Sequence, residues 1–145
     1  MTEILKLYSD FGHFIFKNQD DLKKVCNAPS EKGGIYILYF EINDSKEVIY
    51  IGCSGHIQNN GTMSVRKTGG GRLKGRIVNG HQFGREKRFI SWKSQMEMDN
   101  LNTLEIHWFV THSAKYIHSP IYVESCLLQN YLDNFGKLPK WNKKF

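Results

Sequence analysis

The sequence predicts an α+β domain, a sheet built around one hairpin with helices packed on it, and three observations predict it. Two runs, GIYILYF at 34–40 and EVIYIGC at 47–53, are rich in β-branched and aromatic residues and flank Asn43-Asp44-Ser45, a turn-forming trio. A third run, TLEIHWFVT at 103–111, reads as a further strand. Ser119 as cap and Pro120 at the first helical position then open a helix that runs to Phe135, with Gly136 closing it.

The remaining elements follow in chain order. Asn18, the acidic Asp20 and Asp21 and the stop at Pro29 predict a short helix over 19–27. Both faces of the two hairpin strands are apolar, which places the hairpin centrally in a covered sheet. Residues 55–71 are polar and glycine-rich without period, a loop or insertion. A helix over 72–80, a basic connection and a strand over 88–92 (RFISW) lead to the strand at 103–111. The tail from Lys137 holds Pro139, Trp141 and Asn142. No linker, repeat or low-complexity segment divides the chain, so residues 1–145 read as one domain that buries roughly two-thirds of its unfolded surface.

Composition narrows the class. No apolar run approaches the roughly 20 residues of a membrane span, and MTEILKLYSD has neither the basic start nor the apolar stretch of a signal peptide. Three widely spaced cysteines make no disulfide framework, and Cys53 with His56 lacks the second ligand pair of a zinc site. The expectation is a soluble cytoplasmic protein. Net charge is +6, and it is segregated. Arg66, Lys67, Arg72, Lys74, Arg76, Arg85, Lys87 and Arg88 stand against Glu86 alone, and four lysines follow in the tail. An isolated charge run is usually just a solvated face; two such segments on an otherwise acidic chain favour a polyanion, and so nucleic acid.

Certain residues fit packing poorly. At 100° per residue, Ile121, Leu128, Tyr131 and Phe135 fall within about 60° of Glu124, so a carboxylate sits inside the apolar stripe of the last helix. It must be paired, protonated or bound to a metal, because an uncompensated buried charge costs several kcal/mol. In the hairpin an even register, residue 42 opposite 46, puts Tyr36 opposite Gly52 and Tyr50 opposite Leu38. The two phenols then share a face, with open space expected over Gly52. Arg76 lies at the border of its helix's buried face, where a fork can reach a phosphate. Each of these alone has a plain structural reading: an ion pair, ordinary strand tyrosines, a solvent-facing arginine, and for Asn142 an anchor for the tail.

Together, Gly34-Ile35-Tyr36 and Tyr50-Ile51-Gly52, followed in order by Leu73, Arg76, His81, Glu124 and Asn142, resemble the motifs of the GIY-YIG nuclease family over residues 33–142. The resemblance implies a three-stranded antiparallel core flanked by helices and metal-dependent cleavage of a DNA phosphodiester. It makes Glu124 the ligand of Mg²⁺, for which Mn²⁺ can substitute, and Arg76 a clamp on the phosphate. Tyr36 or Tyr50 would position and deprotonate the water, with His81 and Lys67 as further bases and Asn142 orienting Tyr50 or the phosphate. Arg66, Lys67, Arg72, Lys74, Arg85, Lys87 and Arg88 would contact nucleic acid. His81 stands five residues after Arg76 where some relatives place it four after, and the insertion at 55–71 resembles the elaborations of the family's restriction enzymes. Residues 1–32 then read as an N-terminal extension. The expected protein is a restriction-type endonuclease acting on double-stranded DNA as a homodimer, associated with the nucleoid when bound. Its alternatives are a binding module without catalysis and a repair nuclease targeted by a partner.

Overall fold

The computed structural model describes residues 3–64 and 72–145. Its elements are a short 3₁₀ turn at Ile4–Leu7, then β1 (Phe11–Lys17), α1 (Leu22–Val25), β2 (Gly34–Ile42), β3 (Ser45–Ser54), β4 (His56–Ile57) and β5 (Met63–Ser64). α2 (Leu73–Asn79), α3 (Arg88–Met98), β6 (Thr103–Val110) and α4 (Pro120–Phe135) complete it. The α+β class is as expected. The main sheet has four antiparallel strands in the order β1-β6-β2-β3, one more than the three expected.

The extra strand is β1, whose FGHFIFK pairs along its whole length with β6 and inserts Phe14 and Phe16 into the core. Residues 11–17 of the N-terminal extension thus belong to the sheet. The predicted helix at 19–27 shrinks to one turn, capped by Asp21 through Lys23 N, while Asn18 instead donates to the Lys93 carbonyl. The segment 55–64, read as loop, contains the small β4–β5 hairpin.

Within the β2–β3 hairpin the turn is two residues long. Asn43 and Asp44 both have positive φ, 49° and 65°, the backbone that matches the twist of paired strands, and Ile42 faces Ser45 rather than residue 46. A bulge between Leu38 and Tyr39 inserts Ile49 on β3 and restores the parity, so that Tyr36 faces Gly52 and Leu38 faces Tyr50 as expected. Ile49 and Tyr50 consequently both turn toward the same core.

Two clusters hold the sheet. Tyr36, Leu38, Leu104, Ile106 and Trp108 face α1, α2 and α3, where Leu22, Leu73, Ile77, Trp92 and Met96 meet them. On the opposite face Ile35, Ile37 and Ile51 pack under Val123, Leu127 and Leu128 of α4. α4 starts and ends as expected, with Gly136 in the left-handed conformation donating its N–H to the Leu132 carbonyl.

Two expectations fail here for separate reasons. The run RFISW is not a strand but the first turns of α3, whose Arg88, Ser91, Trp92 and Met96 are buried at helical spacing. Local β-propensity lost to the period of the longer segment. β3 is not central either; it is an edge strand, covered by the tail through the Trp141 N–H to Ile49 carbonyl bond. Among the described residues no helix is long and apolar enough to cross a membrane.

Candidate active site

The hairpin register delivers both tyrosines to one face, with ring centroids 6.0 Å apart. The space over Gly52 is not open, as expected from sequence, but filled by them. A Cβ at Gly52 would lie 2.6 Å from the Tyr36 Cζ and hydroxyl and 2.7 Å from Tyr50 Cε1. Glycine is required here because the phenols lie directly over the backbone. Tyr36 is fully buried and Tyr50 is half-buried.

The group between them is Arg88, which the sequence placed among the nucleic-acid contacts. It is 1 % exposed. Its Nη1 donates to the Tyr36 hydroxyl at 2.6 Å and to the Arg76 carbonyl at 2.8 Å, Nη2 to the Tyr50 hydroxyl at 3.1 Å, and Nε to Gln82 Oε1 at 3.2 Å. Trp92 Nε1 shares that Gln82 oxygen at 2.9 Å. The loop 81–87 brings Arg88 there: its ends are bridged between His81 and Lys87, and the Arg88 N–H returns to the Gly80 carbonyl. Gly80 leaves the room, since a Cβ would stand 2.8 Å from Arg88 Nη1. Among the described residues no carboxylate forms an ion pair with Arg88. Burial works against its charge, yet the Tyr36 and Tyr50 oxygens more than offset this and hold it protonated.

Glu124 approaches from α4 on the other face of the sheet, half-buried against Cys53. Because β3 is an edge strand, groups from both faces meet beside Gly52 and Cys53. Burial raises the Glu124 carboxyl, while Cys53, Arg76 and Arg88 pull the other way. Burial also raises Cys53, with Glu124 adding to it, and raises Tyr50, where Arg88 opposes the shift. Arg88 alone therefore does not bring Tyr50 below the ordinary tyrosine range. Glu124 forms no ion pair among the described residues. Its plain structural reading, a salt bridge, is absent there.

Arg76 is half-buried on α2, and its Nε is buried without a hydrogen-bond partner among the described residues. An orphaned guanidinium donor is costly unless a ligand completes it. Asn142 bonds the backbone beside Tyr50. Its Oδ1 accepts from the Ile51 N–H at 3.0 Å and its Nδ2 donates to the Ile51 carbonyl at 2.9 Å, standing in for a neighbouring strand between Tyr50 and Gly52. It fixes Tyr50 through the backbone. His81 is exposed beyond α2.

Of the basic residues, Arg85 and Lys87 are exposed on the loop 81–87, Lys74 is half-buried, and Arg72 pairs with Glu31 at 3.2 Å. Arg66 and Lys67 lie outside the described residues. The two basic segments are brought together: Phe83 stacks edge-on against Trp141 at 5.1 Å, and Lys143 sits 5.9 Å over the Phe83 ring. Sequence reasoning missed the placement of Arg88 and Cys53. Reading 88–98 at helical period would have found the first, since Arg88, Trp92 and Met96 then fall on one stripe.

Among the described residues no three His, Cys, Asp or Glu side chains stand together, so Glu124, a half-buried oxygen donor without an ion pair there, would be the lone protein carboxylate for a cation such as Mg²⁺, which accepts one or two carboxylates completed by phosphate oxygens and water. No protein-family model, curated protein or solved structure matches this chain, so the site rests on its own residues and geometry.

Proposed function

We propose that this chain is a metal-dependent DNA endonuclease of the GIY-YIG type, restriction-like in design. One observation carries the reading: Tyr36 and Tyr50 lie ring to ring, Glu124 acts on Tyr50 and Arg76 on Glu124, and among the described residues the Arg76 Nε has no hydrogen-bond partner and Glu124 no ion pair. A stable core does not need that combination.

In this reading Glu124 holds Mg²⁺ or Mn²⁺, which when bound stabilises charge on the leaving 3′-oxygen and the phosphorane. Arg76 donates its fork to a non-bridging phosphate oxygen, satisfying the Nε that has no partner among the described residues. A Tyr36 or Tyr50 oxygen orients the attacking water opposite the P–O3′ bond, and that tyrosine as its phenolate, or His81 or Lys67 in the neutral form, receives the proton. Asn142 holds the β3 backbone at Ile51, beside Tyr50. A double-strand cut needs two such sites, so two copies act on one duplex.

The test incubates the protein with supercoiled plasmid, with Mg²⁺ or chelator, beside Glu124→Ala and Arg76→Ala variants that still bind DNA. Discrete Mg²⁺-dependent fragments, lost by about a hundredfold or more in both variants, are the expected result. Equal binding by all three proteins with no cleavage of duplex, single-stranded or branched DNA would leave a binding module and end the nuclease reading.

A further inference from the structure

Cleavage as proposed leaves Arg88 without a role, although it is the most deeply buried charge among the described residues. Burying a cation costs several kcal/mol unless strong partners repay it, and its partners are neutral oxygens. Gly52 and Gly80 both lack a side chain that would otherwise invade this cluster. Stability alone is better served by an apolar residue of similar volume.

We propose that Arg88 is a positioning residue for the tyrosine pair. Its guanidinium holds Tyr36 and Tyr50 by their oxygens, and its charge supports the phenolate left when one of them gives its proton to solvent. That phenolate is the form that then takes a proton from the attacking water. The inference rests on the nuclease reading of this site.

The geometry fits the task. Arginine has five donors and no acceptor, so both phenol oxygens must accept from it, and each phenolic proton points away from the guanidinium. The same Nη1 binds the Arg76 carbonyl, tying the phosphate clamp to the tyrosines as one unit. The charged groups acting on Tyr50 are Arg88 from α3 and Glu124 from α4, and Arg76 from α2 acts on Glu124 and Cys53 beside them. Of these only Arg88 donates to both hydroxyls.

The experiment replaces the seven tyrosines by difluorotyrosine, whose lower intrinsic pKa brings titration within the stable range of the fold. Fluorine NMR then follows the signals assigned by their loss in Tyr36→Phe and Tyr50→Phe. In folded Arg88→Gln at least one midpoint of the pair moves up by about one pH unit or more. Unmoved midpoints overturn the proposal. Arg88→Lys keeps the charge and loses the fork: midpoints stay near wild type while kcat for plasmid cleavage falls about tenfold, with KM within about twofold. A change in KM alone overturns it. Should Arg88→Gln fail to fold, the Arg88→Lys comparison decides. Titration needs no DNA, so shifted midpoints in a protein that never cuts would refute the nuclease reading while leaving the hold of Arg88 on the tyrosines in place.

Discussion

At the scale of single residues, the hairpin keeps tyrosine where aliphatics would pack because each phenol oxygen accepts from one buried guanidinium. Gly52 is the condition for that arrangement. In Gly52→Ala the new methyl would fall 2.6 Å from the Tyr36 hydroxyl, and rigid strand backbone gives neither group room to retreat. We expect a loss of about 1–3 kcal/mol in urea unfolding, as for other overpacked cores, together with loss of cleavage at unchanged DNA affinity. The turn and the bulge at Ile49 that set the register were not legible in the sequence, but the shared face of Tyr36 and Tyr50 was. Their separation was not, since nothing in a string of letters says whether space opposite a glycine is empty or filled by its neighbours. Arg88 was hidden for a different reason: a charged side chain reads as surface until the period of its helix is known.

At the scale of elements, the strands of the hairpin, β6 and α4 declare themselves through turn residues, β-branched runs and the Pro120 and Gly136 boundaries. β1 and α3 do not. FGHFIFK alternates only weakly because its outer face is uncovered, with Phe11 60 % and Ile15 50 % exposed. α3 opens on aromatic and β-branched residues that favour a strand in isolation. What α3 contributes at its far end is an anchor. Asp99 accepts from Trp141 Nε1 at 2.8 Å, Lys140 at 2.9 Å and Gln95 at 3.1 Å, and so pins the tail that carries Asn142 to β3. Burial works against the Asp99 charge, but these donors hold its carboxyl below the ordinary 3.8. The sign follows: a folded value below the unfolded one stabilises the protein above about pH 4, and that stability is lost as pH falls through the folded value. Asp99→Ala leaves a buried indole N–H unpaired, which costs about 1–3 kcal/mol at pH 7. Its unfolding free energy should also decline less steeply than wild type between about pH 4 and pH 2, measured in urea at each pH.

At the scale of the whole molecule, sequence showed two basic segments but not their distance. The fold joins them: loop 81–87 and the tail meet at Phe83 and Trp141, so Arg85, Lys87 and Lys143 border one region next to the tyrosine cluster. Each lysine withdrawn from a DNA phosphate should lower the slope of log K against log salt by about 0.9. Replacing Lys143 and Lys144 by alanine should therefore reduce the slope by about 1 to 2 and weaken binding to all duplexes alike, read by fluorescence anisotropy across a salt series. A change confined to one DNA sequence would instead make these lysines readers of bases. Asn142 has a consequence of its own at this scale. It reaches Ile51 across 91 residues of sequence, so the stretch of β3 between Tyr50 and Gly52 is clamped only after the far end of the chain has docked. The hairpin can form early from local contacts, but its middle stays unlatched until the fold closes around it. A protease cut behind Gly136 would return it to that unfinished condition, a hairpin still paired and its outer strand unlatched.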